Sequence, residues 1–116
     1  MFEPKSFFIA GLKFHKFSSI EHLIEEGDML KLTAEPDNEF DPNAVKISFG
    51  PEDTMLGYVP KKFSSDVAAA LDIGTRLVCE VVTLNKAAKP WEKCEVEVRA
   101  MGDESQDYDE DEDNPF

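Results

Sequence analysis

Two short alternating runs, residues 28–34 and 44–49, flank a segment that neither a helix nor a strand can absorb: Glu35-Pro-Asp-Asn-Glu-Phe-Asp-Pro-Asn43. In the first run Leu30 and Leu32 point one way and Lys31 and Thr33 the other. In the second, Val45, Ile47 and Phe49 point inward, and Lys46 and Ser48 outward. A period of two with one apolar face is the pattern of a half-buried strand. Between the runs, Pro36 and Pro42 cannot donate to a ladder, and Asp37, Asn38, Asp41 and Asn43 favour turns. The chain is therefore committed to β structure with an oversized loop. A plain hairpin needs far less turn chemistry, which points to a functional loop.

The remaining elements are short as well. Residues 6–14 predict a first strand, with Gly11 as a bend. Residues 18–26 predict a short helix with Ile20, Leu23 and Ile24 on one face, preceded by serine and ended by Gly27. Gly50-Pro-Glu-Asp53 is a turn into a fourth strand over 54–59, which Pro60 ends. Residues 61–71 predict a helix with Phe63, Val67, Ala70 and Leu71 on one stripe, closed by Gly74. Residues 76–84 and 93–101 predict the last two strands, with Leu77, Cys79, Val81, Cys94, Val96 and Val98 inward. The connector 85–92 carries Lys86, Lys89 and Trp91. Six short strands, one or two short helices and no βαβ rhythm predict a small, mostly antiparallel barrel or sandwich.

Charge divides the chain in two. Of the 25 acids in the 116 residues, eight lie in 103–116, where there is no base. The body, 1–102, keeps 17 acids against 12 bases, or −5 of the total −13. That balance does not resemble a bulk duplex-DNA binder, which carries a basic footprint, but it leaves room for a local single-strand site. Residues 103–116 show no periodicity and predict a disordered acidic tail. The start of the chain lacks the basic-then-apolar pattern of a signal peptide, and no apolar run would cross a bilayer, so a cytoplasmic protein is expected. Two cysteines are too few for a disulfide framework. With His15 and His22 they make no closely spaced ligand pair, so neither a metal nor another cofactor is expected, and no catalytic motif is visible.

Three blocks together resemble the HIRAN domain family: Phe8-Ile-Ala-Gly-Leu-Lys-Phe14, Leu30 to Ile47 with the loop, and Leu56-Gly-Tyr-Val-Pro-Lys61. The resemblance implies a six-stranded barrel like the oligonucleotide-binding fold, over roughly residues 6–101, that grips a single-stranded DNA end bearing a 3′-hydroxyl. It assigns Lys13 to a phosphate and Phe14 to base stacking. It aligns Asn38, Phe40 and Asp41 with an asparagine, a stacking aromatic and the carboxylate that reads the terminal hydroxyl. Tyr58 takes the aromatic or histidine position after Gly57, and Lys61 and Lys62 are phosphate candidates. Phe14 and Phe40 stand where the eukaryotic pattern has tyrosines, which keeps stacking and loses a hydroxyl. Lys13 stands for an arginine and loses bidentate geometry. The plainer reading of the loop is that Asn38, Asp41 and Asn43 only make side-chain turns. For Asn43, Ala44 and Gly57 that reading is preferred.

The last residues, Asp111-Glu112-Asp113-Asn114-Pro115-Phe116, are similar to the acidic tip of bacterial single-stranded-DNA-binding proteins. That similarity implies a docking peptide whose Phe enters an apolar pocket on replication, repair or recombination proteins, with the acids steering. The expected function is thus a non-catalytic single-strand binder that recruits partners, with a phage or mobile element as a plausible setting. The alternatives are a protein-interaction adaptor or a DNA mimic without DNA binding.

Overall fold

The structure, a computed structural model, describes residues 2–12 and 17–101. Six strands make one antiparallel sheet in the order β1-β6-β5-β2-β3-β4. They are β1 (Lys5–Phe8), β2 (Met29–Ala34), β3 (Val45–Phe49), β4 (Thr54–Tyr58), β5 (Leu77–Leu84) and β6 (Cys94–Ala100). The sheet curls into a half-barrel. Its two ends meet where Ala10, just past β1, bridges Tyr58 at the end of β4. Helix α1 (Phe17–Ile20) continues into a 3₁₀ turn, Glu21–Leu23, and helix α2 (Lys61–Asp72) follows β4.

Alternation builds the core. Val45, Ile47, Cys79, Val81, Cys94, Val96 and Val98 are all fully buried, as their place on the inward side of each strand requires. Helix α2 packs against β2 and β3 through Val67 and Ala70, and Phe63 stacks on Phe7 of β1 with ring centroids 5.5 Å apart. Gly74, at φ 86°, ends the helix in the left-handed region. Burial pushes the thiols of Cys79 and Cys94 up to about 12, and each remains a free, apolar core residue.

Three expectations need correction. The first strand stops at Phe8: Ile9 still donates to the Cys94 carbonyl at 3.0 Å, but Ala10 leaves β6 for β4, and Gly11 turns the chain at φ 78°. Residues 13 and 14 lie outside the described residues. The segment 18–26 is one helical turn and then a 3₁₀ turn, so an α-helical face does not carry through it. Ile24 is buried and Leu23 is exposed. Ser48, expected outward, is fully buried, and its hydroxyl has no partner among the described residues. The register slips there, Ile47 pairing with Gly57 and Ser48 with Met55, so Leu56 is an extra residue and simple alternation ends. The acidic tail, 103–116, lies outside the described residues.

Candidate functional site

The nine-residue loop is two proline turns in series. Asn38 N–H donates to the Glu35 carbonyl at 3.0 Å and Ala44 N–H to the Asp41 carbonyl at 2.9 Å. Each turn has proline at its second position, where the fixed φ suits it. Side chains lock the pair. Asn38 Oδ1 accepts from the N–H groups of Phe40 (2.9 Å) and Asp41 (3.1 Å), and Asp41 Oδ1 accepts from Asn43 N–H at 2.8 Å. The other carboxylate oxygen of Asp41 accepts from the buried Ser64 hydroxyl of α2 at 3.3 Å. The turn-forming role weighed against function is thus present for Asn38 and Asp41. Each carboxylate oxygen of Asp41 still has a lone pair to offer a ligand.

Among the described residues nothing in this scaffold covers Phe40. Its side chain is 90% exposed, although it lies between two ordered turns. It stands at a groove of about 440 Å³, which Asn38, Asp41, Tyr58 and Lys61 also line. Ala10, Ala44 and Val59 complete an apolar lining. Five residues singled out from the sequence therefore meet in one place, brought by the loop, the end of β4 and the start of α2. Lys62 does not line the groove: its ammonium lies 5.5 Å from the ring of Phe63. Lys13, Phe14 and the tip 111–116 lie outside the described residues.

Gly57 belongs to the scaffold. Ala10 and Tyr58 exchange two backbone hydrogen bonds of 2.9 Å, and a β-carbon at residue 57 would meet the Ala10 carbonyl oxygen. The closing bridge that puts Ala10 and Tyr58 side by side in the groove needs glycine at this position.

Two residues not singled out from the sequence belong with the groove. Glu35 Oε1 accepts from the Tyr58 hydroxyl at 2.9 Å and from Asn38 Nδ2 at 3.1 Å. Burial, and then this hydrogen bond and charge, raise the Tyr58 phenol above its ordinary value. Lys46 pairs directly with Tyr58 across β3 and β4, and opposite residues in an antiparallel pair project from the same face. Lys46 makes no ion pair among the described residues. Its outward place was readable from alternation. Its proximity to Tyr58 needed the strand register. Among the described residues no group of acids, histidines and cysteines could hold a metal, and no helix is long and apolar enough to cross a membrane.

Residues 5–101 match the sequence model of the HIRAN domain. No curated protein matches the chain. The crystal structure of the HIRAN domain of human HLTF superposes with a TM-score of 0.68 at 17% identity, over 85% of this chain and 75% of that one. A crystal structure of a protein from Lactobacillus plantarum superposes with a TM-score of 0.72 at 18% identity, over 84% of this chain and 97% of that one. At such identities these two likenesses are of fold.

Proposed function

This chain belongs to the HIRAN domain family, and on that premise we propose that its groove binds the end of a single DNA strand. The observation that carries this reading is Phe40. A phenylalanine held by two ordered turns yet 90% exposed costs solvation unless a ligand covers it. A base does so without regard to sequence, because every base has a π-face. Beside it, Lys61 supplies a charge for phosphate, and Ala10, Ala44 and Val59 give the groove apolar walls. Asp41 would accept a hydrogen bond from a terminal 3′-hydroxyl and repel a 3′-phosphate. Phe14 and Lys13 would add a second ring and a second cation from the segment after Gly11.

The protein acts, in this reading, without catalysis: it holds the strand, and its acidic segment 103–116 with Pro115 and Phe116 recruits replication, repair or recombination proteins. A specific observation favours a competing adaptor or DNA-mimic role. The groove loop itself carries Glu35, Asp37, Glu39 and Asp41 against one groove-lining lysine among the described residues, Lys61. One experiment separates the two. Fluorescence anisotropy with oligonucleotides ending in a 3′-hydroxyl or a 3′-phosphate, on the full chain and on a chain lacking 103–116, should show binding by both chains and preference for the hydroxyl. No binding by either chain would leave the adaptor reading. Equal affinity for both ends would remove only the end-reading role of Asp41. Phe116→Ala should abolish partner capture while leaving oligonucleotide affinity unchanged.

A further inference from the structure

We infer that Glu35 is the positioning residue of the groove, one of its carboxylate oxygens joining the β4 wall to the loop before a strand arrives. The inference rests on the DNA-binding reading above and extends it to a residue outside the proposed contacts. Glu35 Oε1 takes two hydrogen bonds, one from the Tyr58 hydroxyl on β4 at 2.9 Å and one from Asn38 Nδ2 in the loop at 3.1 Å. The second bond fixes which way the Asn38 amide faces. With its NH2 group on Glu35, its oxygen faces the N–H groups of Phe40 and Asp41 and accepts from both. One acceptor atom thereby sets the placement of Tyr58, Asn38, Phe40 and Asp41. Backbone supports this anchor: Glu35 N–H donates to the Ala44 carbonyl at 2.9 Å, at the loop's other end.

The charge of Glu35 has no use in this arrangement and works against it. A carboxylate beside the path of a phosphodiester repels it, whereas the two hydrogen bonds need only an oxygen with two lone pairs. A glutamine amide oxygen supplies those. Geometry and charge can therefore be separated by substitution. Glu35→Gln keeps the anchor and removes the repulsion, and Glu35→Ala removes both. Binding to a pre-ordered groove avoids the cost of ordering the loop and side chains on contact.

The test uses the full chain and a 3′-hydroxyl oligodeoxynucleotide as probe, with affinity and thermal unfolding measured for each variant. Glu35→Ala should weaken binding on the order of 3- to 30-fold, as expected for lost hydrogen bonds. Glu35→Gln should bind at least as tightly as the natural chain. Tyr58→Phe, which keeps the ring and removes one of the two bonds, should lose less than Glu35→Ala. It also serves as the readout if Glu35→Ala does not fold. In a Tyr108→Phe background Tyr58 is the only phenol, since the chain has two tyrosines. Its ultraviolet titration should shift down in Glu35→Ala, which loses both the hydrogen bond and the charge, and by less in Glu35→Gln, which loses only the charge; burial, the largest cause of the raised value, stays in both. The inference is overturned if Glu35→Ala binds as the natural chain does, if Glu35→Gln is as weak as Glu35→Ala, or if the phenol titrates identically in all. Should the natural chain bind no oligonucleotide, the DNA-binding reading fails and takes this inference with it. Binding by the natural chain with no difference among variants removes this inference alone.

Discussion

Gly57 leaves its β-carbon position to the carbonyl oxygen of Ala10. That oxygen accepts from Tyr58 N–H at 2.9 Å, and the bond is half of the bridge that ties the segment after β1 to β4. The same bridge sets Ala10 against Tyr58 in the groove. An added methyl would also lie 2.8 Å from Ile9 Cγ2, in the core. Gly57→Ala should therefore lower stability by about 3 kcal/mol, the upper part of the range for overpacking, because the nearest atom is backbone. Urea unfolding would check this. A midpoint like that of the natural chain would show that the bridge can open at little cost.

Phe40→Ala should separate binding from folding. The ring is 90% exposed, so its loss should leave stability within about 0.5 kcal/mol. Stacking of one base should be lost with it, weakening oligonucleotide binding by about 1–3 kcal/mol. Anisotropy titration and thermal unfolding on the same samples test both halves. A variant that unfolds early would mean that Phe40 plugs the barrel end.

Lys46 and Lys61 should each act on the salt dependence of binding. Lys61 lines the groove, and Lys46 shares the face of Tyr58. A lysine that meets a phosphate of a single strand contributes roughly 0.7 to the slope of log affinity against log salt. Lys61→Ala and Lys46→Ala should each reduce the slope by about that amount. Lys62→Ala should leave it unchanged, since that ammonium lies over Phe63 rather than in the groove. An unaltered slope in Lys46→Ala would remove that residue from the binding face.

What could be read in the sequence follows from local rules. Alternation identified the inward residues of β3, β5 and β6, and the proline turns marked the loop, because each depends on near neighbours in the chain. Ser48 was misread because the slip at Leu56 belongs to the pairing of two strands, and neither strand records it alone. Leu23 was misread because one turn of α-helix followed by 3₁₀ shares no face. Phe40 was identified by family likeness. Glu35 was passed over because nothing near it in the chain marks it. Its role exists only once β4, 23 residues later, brings the Tyr58 hydroxyl to it.

Ser48→Ala should hold or raise stability. The hydroxyl is fully buried and has no partner among the described residues. An unpaired buried hydroxyl costs roughly 1–3 kcal/mol of lost hydration, and alanine keeps the β-carbon while removing the oxygen. A gain of about 1 kcal/mol in urea unfolding is expected. A loss of that size would mean that the hydroxyl is paired.

Alkaline pH should unfold the protein through its two cysteines. Burial raises the Cys79 thiol from 9.0 to about 12, with the nearby Cys94 adding to the shift, and burial raises Cys94 from 9.0 to about 12. In the unfolded chain both thiols ionise near 9, so above that pH the folded chain holds protons that the unfolded chain releases. The stability contributed by neutral burial is full below pH 9 and is lost progressively as pH rises to about 12. Urea midpoints should fall across that window. In Cys79→Ala the overall stability drops because a buried side chain is removed, yet the fall with pH becomes shallower, which distinguishes ionisation from general alkaline damage. In the native state both thiols should resist a thiol reagent at pH 8, because reaction needs a thiolate and access to it. Rapid labelling of both at that pH, or equal pH slopes in the natural chain and in Cys79→Ala, would remove the cysteines as the cause.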